Sequence, residues 1–300
     1  MADCLAVDPL QPALVIAAHG SKSAGWADAI AALVRDVRES PGVAEVFSTV
    51  TAGFLEESQP PLADAVDVPL KAGASEAIVV PLFLTASMHQ SEDVPAILGL
   101  PVPTHIRRRV IAEGHRVLPP GLPVRLQPLG DVAAILQRNV VRRTSLESRD
   151  PAREAIVIVA YGSTIFHEQW EKLMHEVRLR LLQEGWGGVA HAYCGHVAQL
   201  SPEPTYKAIL HAAQQAGIRR VHVVPLLMAV SELQTGPIAV ACQAALPKLG
   251  KEHVQLRYAA DAILPDGDLA ARIAFVGLQA LGVMAPMLRS LGASRREGVA

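Results

Sequence analysis

Apolar residues in this chain fall into short unbroken runs separated by stretches with helical spacing, and the pattern occurs twice. In the first half, Ala13 to Ala18, Ala44 to Ala52, Ala77 to Thr85 and Val124 to Gln127 read as strands. Between and after them, Trp26 to Glu39, Pro61 to Ala72 and Val132 to Arg143 carry apolar residues at helical intervals. Strands that are apolar on both faces must be covered on both faces, which predicts a parallel sheet with helical crossovers. Beyond Arg143 the plan returns, with strands near Ala155, Gly188, Val221 and Val254.

The return is a sequence repeat as well as a pattern. Ala13-Leu-Val-Ile-Ala-Ala-His-Gly-Ser21 reappears as Ala155-Ile-Val-Ile-Val-Ala-Tyr-Gly-Ser163. Ala72-Gly73 followed by Ile78-Val-Val-Pro-Leu82 reappears, at nearly the same shift, as Ala216-Gly217 followed by His222-Val-Val-Pro-Leu226. Two segments with nearly the same displacement indicate internal duplication. The expected architecture is α/β, with two tandem domains, residues 1–145 and 146–300, each a parallel sheet flanked by helices. Arg143 to Arg153, polar and without either apolar period, is the expected linker, and a chain of 300 residues is long enough for each domain to bury its own core.

Composition narrows the function classes. With 50% hydrophobic and 19% charged residues the chain is a folded protein, and a formal net charge of -2 gives no bulk reason to expect nucleic acid or an anionic membrane as partner. Met1 to Leu10 lacks the basic and apolar regions of an export signal, and Ala274 to Leu288 is interrupted by Gln279 and Pro286 and is too short for a bilayer span. A cytoplasmic location is therefore expected. The three cysteines, Cys4, Cys194 and Cys242, have no CxxC pairing. They fit a reducing compartment, with Cys194 and Cys242 read as small buried hydrophobes.

In open parallel sheets ligands bind beyond the carboxyl ends of the strands. The first strand ends in His19-Gly20-Ser21, where glycine permits a tight turn and serine can cap the next helix; the second leads to Glu56; the third ends in Ser87-Met88-His89. Two imidazoles and a carboxylate leave neighbouring strand ends, the nitrogen and oxygen donors that borderline divalent metals favour. The second copy keeps Gly162 and Ser163 but has Tyr161 for His19, Leu233 for His89 and, on the sequence shift, Gln199 for Glu56. Losing all three while the scaffold residues persist marks them as functional rather than structural. Other chemical signatures fail: His167-Glu168 and His175-Glu176 lack the second histidine of a zinc-peptidase motif, and neither Gly-x-Ser-x-Gly nor Gly-x-Gly-x-x-Gly is present.

The chain resembles the class II chelatases, specifically the sirohydrochlorin cobaltochelatase and ferrochelatase group. The matching features are Ala18-His19-Gly20-Ser21, Phe54-Leu55-Glu56 with Pro60-Pro61-Leu62, Val79-Val80-Pro81-Leu82-Phe83-Leu84 running into His89 and Asp93-Val94-Pro95, and Pro128-Leu129-Gly130. Lys22 stands where arginine is common, Ser87-Met88 replaces a glycine pair, and Pro101 to Pro123 is longer than usual. The repeat resembles the long, internally duplicated form, whose short counterpart supplies the second half through a homodimer. The resemblance implies two chelatase-like domains, the second degenerate, with His19, His89 and Glu56 as metal ligands and catalytic groups. It implies Co2+ or Fe2+ as substrate, no permanently bound cofactor, sirohydrochlorin as partner, and a monomer or homodimer.

Metal insertion needs a group that strips water from the ion and accepts pyrrole protons. An imidazole, with an ordinary pKa of about 6.5, can do both. Sirohydrochlorin carries many carboxylates, so Ser21, Lys22 and the forked guanidinium groups of Arg107, Arg108 and Arg109 are candidate substrate-binding groups, the plain alternative for the arginines being a solvated helix face. The competing readings are a chelatase for another tetrapyrrole or metal, signalled by an extended hydrophobic lip, and a carrier that binds metal or tetrapyrrole without turnover.

Overall fold

The computed structural model describes residues 11–85 and 87–283, so Cys4, residues 1–10 and the end of the 274–288 stretch lie outside the described residues. Elements follow in the order β1 (Ala13–Ala18), α1 (Ala24–Arg38), α2 (Val43–Val46), β2 (Thr49–Phe54), α3 (Leu62–Lys71) and β3 (Ala77–Pro81), then a π-helical turn (His89–Asp93), α4 (Val94–Ile97), α5 (Thr104–Ala112), β4 (Val124–Leu126) and α6 (Val132–Ser145). The second half runs β5 (Glu154–Ala160), α7 (His167–Gln183), β6 (Gly188–Tyr193), α8 (Glu203–Ala213) and β7 (Arg220–Leu226), then a second π-helical turn (Gln234–Ile238), α9 (Ala239–Lys251), β8 (Gln255–Tyr258) and α10 (Gly267–Ala280). The two four-stranded sheets have the equivalent orders β2-β1-β3-β4 and β6-β5-β7-β8, with every pairing parallel. No helix among the described residues is long and apolar enough to cross a membrane.

Strand alternation divides the apolar positions among three cores. Val15, Ala17, Ala77 and Val79 face α3, α4 and α5, while Val157, Val159, Val221 and Val223 face α8 and α9. The opposite faces, carrying Leu14, Ile16 and Ile78 in one sheet and Ile156, Ile158 and Val224 in the other, meet a single layer built from α1, α6, α7 and α10. In that layer the last helix of each half has crossed over. α6 packs against α7 and β7, and α10 packs against α1 and β3. Gly277 of α10 lies so close to Leu14 and Phe47 that an added Cβ would sit 3.0 Å from the leucine. Asp266, 2% exposed, caps α10 and also accepts from Asn139 and Arg142 of α6. The expectation that each half buries its own core is thus corrected: the inner faces of both sheets share one core because the closing helices are exchanged.

Several boundaries differ from the expectations, each for a local reason. Ala44 to Val46 belongs to a helical turn, since Gly42 at φ 81° redirects the chain and strand pairing starts only at Thr49. The third strand stops at Pro81 instead of Thr85: Leu82 N–H still donates to Ala17 O at 2.7 Å, after which β1 has turned away. The expected linker begins late, because α6 continues to Ser145 with Arg143 holding Asp261 and donating to Pro225 O at 2.8 Å. Cys194 and Cys242 are buried as expected, and burial pushes both thiols up to about 12.

A shared core predicts one cooperative unfolding transition. Gly277→Val should overpack the Leu14–Phe47 contact and cost about 1–3 kcal/mol, lowering that single transition as followed by chemical denaturation. Two separated transitions, one of them insensitive to the substitution, would contradict the exchange.

Candidate metal and macrocycle site

The carboxyl ends of β1, β3, β5 and β7 open onto one cleft of about 670 Å³ between the sheets. From the first half it is lined by His19, Gly20, Ser21, Trp26, residues 82–85 and residues 87–89; from the second by Tyr161, Phe166, Trp170, residues 226–231 and Leu233, among others. Its volume is that of an ordinary small-molecule site. Among the described residues, none of the side chains lining it is Lys, Arg, Asp or Glu. Its mouth is apolar too, with Met88, Tyr161, Ile165 and Val230 exposed there.

His19, Glu56 and His89 come together at the first-half side. One nitrogen of each ring and one Glu56 oxygen lie within 4.8 Å of one another. The rings meet edge to face, with centroids 4.7 Å apart and an interplanar angle of 83°, and Phe83 stacks behind His89 at 6.4 Å. Metal–nitrogen and metal–oxygen bonds of roughly 2.0–2.2 Å would need only small side-chain adjustments to bring all three donors onto one ion.

The second nitrogen of each histidine is occupied. His19 Nδ1 meets Gly20 O at 3.1 Å, and His89 Nδ1 meets Asp93 Oδ2 at 2.7 Å. A carbonyl or carboxylate oxygen only accepts, so Nδ1 carries the proton in both rings, leaving each Nε2 lone pair free in the neutral form. Asp93, whose side chain is 3% exposed, takes its second contact from Arg109, whose guanidinium also reaches Glu92 at 2.8 Å. Asp93 was absent from the expected site; the His-x-x-x-Asp spacing of residues 89–93 is the signal that marks it.

The remaining candidates occupy different places. Ser21 lines the cleft, but its hydroxyl accepts from Ser23 N–H at 3.1 Å and its backbone is clasped by Ser58. In the second half Ser163 accepts from Phe166 N–H at 3.2 Å, so a local turn accounts for the serine in both copies. Lys22 is 82% exposed and pairs with Glu57 at 3.3 Å, just outside the cleft. The arginine run fans around α5, and none of the three lines the cleft: Arg107 donates to Leu100 O, Arg108 is exposed, and Arg109 binds carboxylates of this chain. Its helix is set by Ile106 and Val110, buried one turn apart.

Backbone register corrects one counterpart in the second half. Glu56 N–H donates to His19 O at 2.8 Å, and the matching bond runs from Gly195 N–H to Tyr161 O at 3.0 Å. Gly195, not Gln199, therefore stands where Glu56 stands, because the connection from β5 to β6 is three residues shorter than that from β1 to β2. Tyr161 and Leu233 line the cleft opposite the histidines.

The profile of the CbiX family matches residues 13–136. Over those residues the chain is similar to the CbiX family. A sirohydrochlorin cobaltochelatase of Methanocaldococcus jannaschii is 35% identical over 88 residues, covering 29% of this chain and 59% of that protein. One from Saccharolobus solfataricus is 32% identical over 87 residues, covering 29% and 63%. The match thus spans less than two thirds of these relatives' lengths. A solved structure of SirB from Bacillus subtilis with Fe3+ superposes with a TM-score of 0.61 over 94% of this chain and 98% of that one, at 18% identity. The whole duplicated architecture, not the first half alone, is that of this fold.

Gly20 ties the site together. It adopts φ 103°, and a Cβ there would lie 1.7 Å from Glu56 O. Gly20→Ala must therefore push the Glu56 strand end away from His19. The expected result is a loss of about 1–3 kcal/mol in stability and a Co2+ affinity at least about tenfold weaker by titration calorimetry; unchanged affinity would show that the Gly20–Glu56 contact is not needed.

Proposed function

We propose that this protein inserts a divalent metal, Co2+ or Fe2+, into sirohydrochlorin at a single site formed by His19, Glu56 and His89. The observation that carries the reading is the convergence of these three donors, each from beyond the end of a different strand, beside a cleft large enough for a small-molecule ligand. The family, and the substrate named for its relatives, support the choice of macrocycle. The Nε2 lone pairs would exchange water for protein on the incoming metal and then accept the protons that the pyrrole nitrogens release. Glu56, exposed at the cleft edge, would balance the ion's charge and pass protons to solvent. The apolar lining from the second half would press on the macrocycle face, while its carboxylates project through the mouth toward water and Lys22.

The absence of charged side chains from the described lining favours one second reading, a chelatase for a tetrapyrrole with fewer carboxylates. One assay separates these readings from each other and from a non-catalytic carrier. Purified protein is incubated with sirohydrochlorin or protoporphyrin and with Co2+, Fe2+ or Ni2+ in turn, and insertion is followed by absorbance. Faster insertion into sirohydrochlorin, reduced by about a hundredfold or more in His19→Ala and His89→Ala proteins that remain folded, is expected. Preference for protoporphyrin would install the second reading. No acceleration with any pair, or near-normal turnover in both histidine variants, would overturn the proposal.

A further inference from the structure

The two halves leave their third strands by equivalent π-helical turns and then diverge. In the second half the turn runs directly into α9, an unbroken helix of 13 residues. In the first half the corresponding helix, α4, stops after four residues. Gly99 reverses the chain at φ 72°, at a point where a Cβ would lie 2.5 Å from Leu118 O. Pro101 and Pro103 then keep the connection extended, and α5 starts at Thr104 and returns to pack against the π-helical turn. Arg107 fastens this return by donating to Leu100 O at 3.1 Å.

What the return delivers is Arg109. Its Nη2 donates to Asp93 Oδ1 at 2.7 Å and to Glu92 Oε2 at 2.8 Å. The other Asp93 oxygen accepts from His89 Nδ1 at 2.7 Å. A nearly buried carboxylate held at one oxygen by an imidazole alone could rotate about its own bond; a guanidinium on the other oxygen fixes its plane. That plane sets the direction of the imidazole N–H and hence where the opposite lone pair points. Counting on from Ser87 and its counterpart Ser231, His89 falls on Leu233 and Asp93 on Pro237, and beyond the kink at Gly236 α9 is not cut short as α4 is. The ligand, the carboxylate behind it and the helix break that brings the arginine are absent together from the second half.

We infer that Arg109 is a positioning residue for the metal site, acting through Asp93 to lock the ring of His89, and that the break between α4 and α5 serves to place it there. The inference rests on the reading of His89 as a metal ligand. Arg109 does not touch the cleft, and its effect is on the affinity of the site for metal rather than on the grip for the macrocycle.

The test is a double-mutant cycle on the full chain, with Co2+ alone as the probe and calorimetric titration as the readout. Arg109→Gln is expected to weaken Co2+ binding about 10–100-fold in the otherwise native protein and to change it less than twofold in a His89→Ala background. Arg109→Lys, which keeps the charge but not the fork, should give an intermediate loss in the native background and none in His89→Ala. If Arg109→Gln does not fold, the lysine variant carries the cycle alone. Equal losses in both backgrounds, or no loss for a folded Arg109 variant, would overturn the inference. If His89→Ala itself leaves Co2+ affinity unchanged, the metal-site reading fails and this inference with it; a loss for His89→Ala with none for Arg109→Gln removes only the inference.

Discussion

The crossing of α6 and α10 into opposite halves is the constraint from which the site follows. Each sheet has one face whose apolar residues cannot be covered by its own helices alone, and each receives the closing helix of the other half. The polar ties between the exchanged helices, Asn139 and Arg142 to Asp266 with Arg138 and Arg142 to Asp268, run along the same seam. With the inner faces bound to one common layer, the carboxyl ends of both sheets are held facing a single space. The cleft is a consequence of that shared core, which holds apart the strand ends whose following loops line it.

Within this frame the duplication has been put to two uses. The first half keeps donors at the strand ends; the second turns the same positions into wall. Tyr161 replaces His19, Leu233 replaces His89, and Gly195 leaves Glu56 with no counterpart side chain. Glycine stands next to the first position in both halves at a positive φ, with the Glu56 backbone carbonyl pressed against Gly20 and the side chains of Tyr193 and Val197 against Gly162. The two halves thus share the geometry of the turn and differ in the chemistry displayed on it.

Much of this was legible in the sequence, and the limits are physical. Ala13 to Ala18 is buried along its whole length, so its apolar run marked strand and sheet type together. His19 stands out because it ends such a run, and His89 because it lies a short way beyond another. The register of the second half misled at Gln199 because loops change length while a sequence shift does not; only the ladder bond from Gly195 identifies the true equivalent. The arginine run was read as forks for substrate carboxylates, whereas Arg109 meets Glu92 and Asp93 of the same chain and Arg107 a backbone carbonyl. Which carboxylate a guanidinium meets depends on the turn at Gly99 and the return of α5, a tertiary event without a local apolar period. The helix exchange was hidden for a similar reason, since α6 and α10 have amphipathic faces that do not name the sheet they cover.

The central claim is that one metal site exists, on one side of the cleft, with two imidazoles and a carboxylate. X-ray absorption of the Co2+-loaded protein at one equivalent measures this directly through the number of histidine ligands and the metal stoichiometry. The account predicts a single bound ion with two imidazoles in its shell, falling to one when either His19 or His89 is replaced by alanine. An unchanged imidazole count in both variants, or a second ion bound equally well, would contradict it.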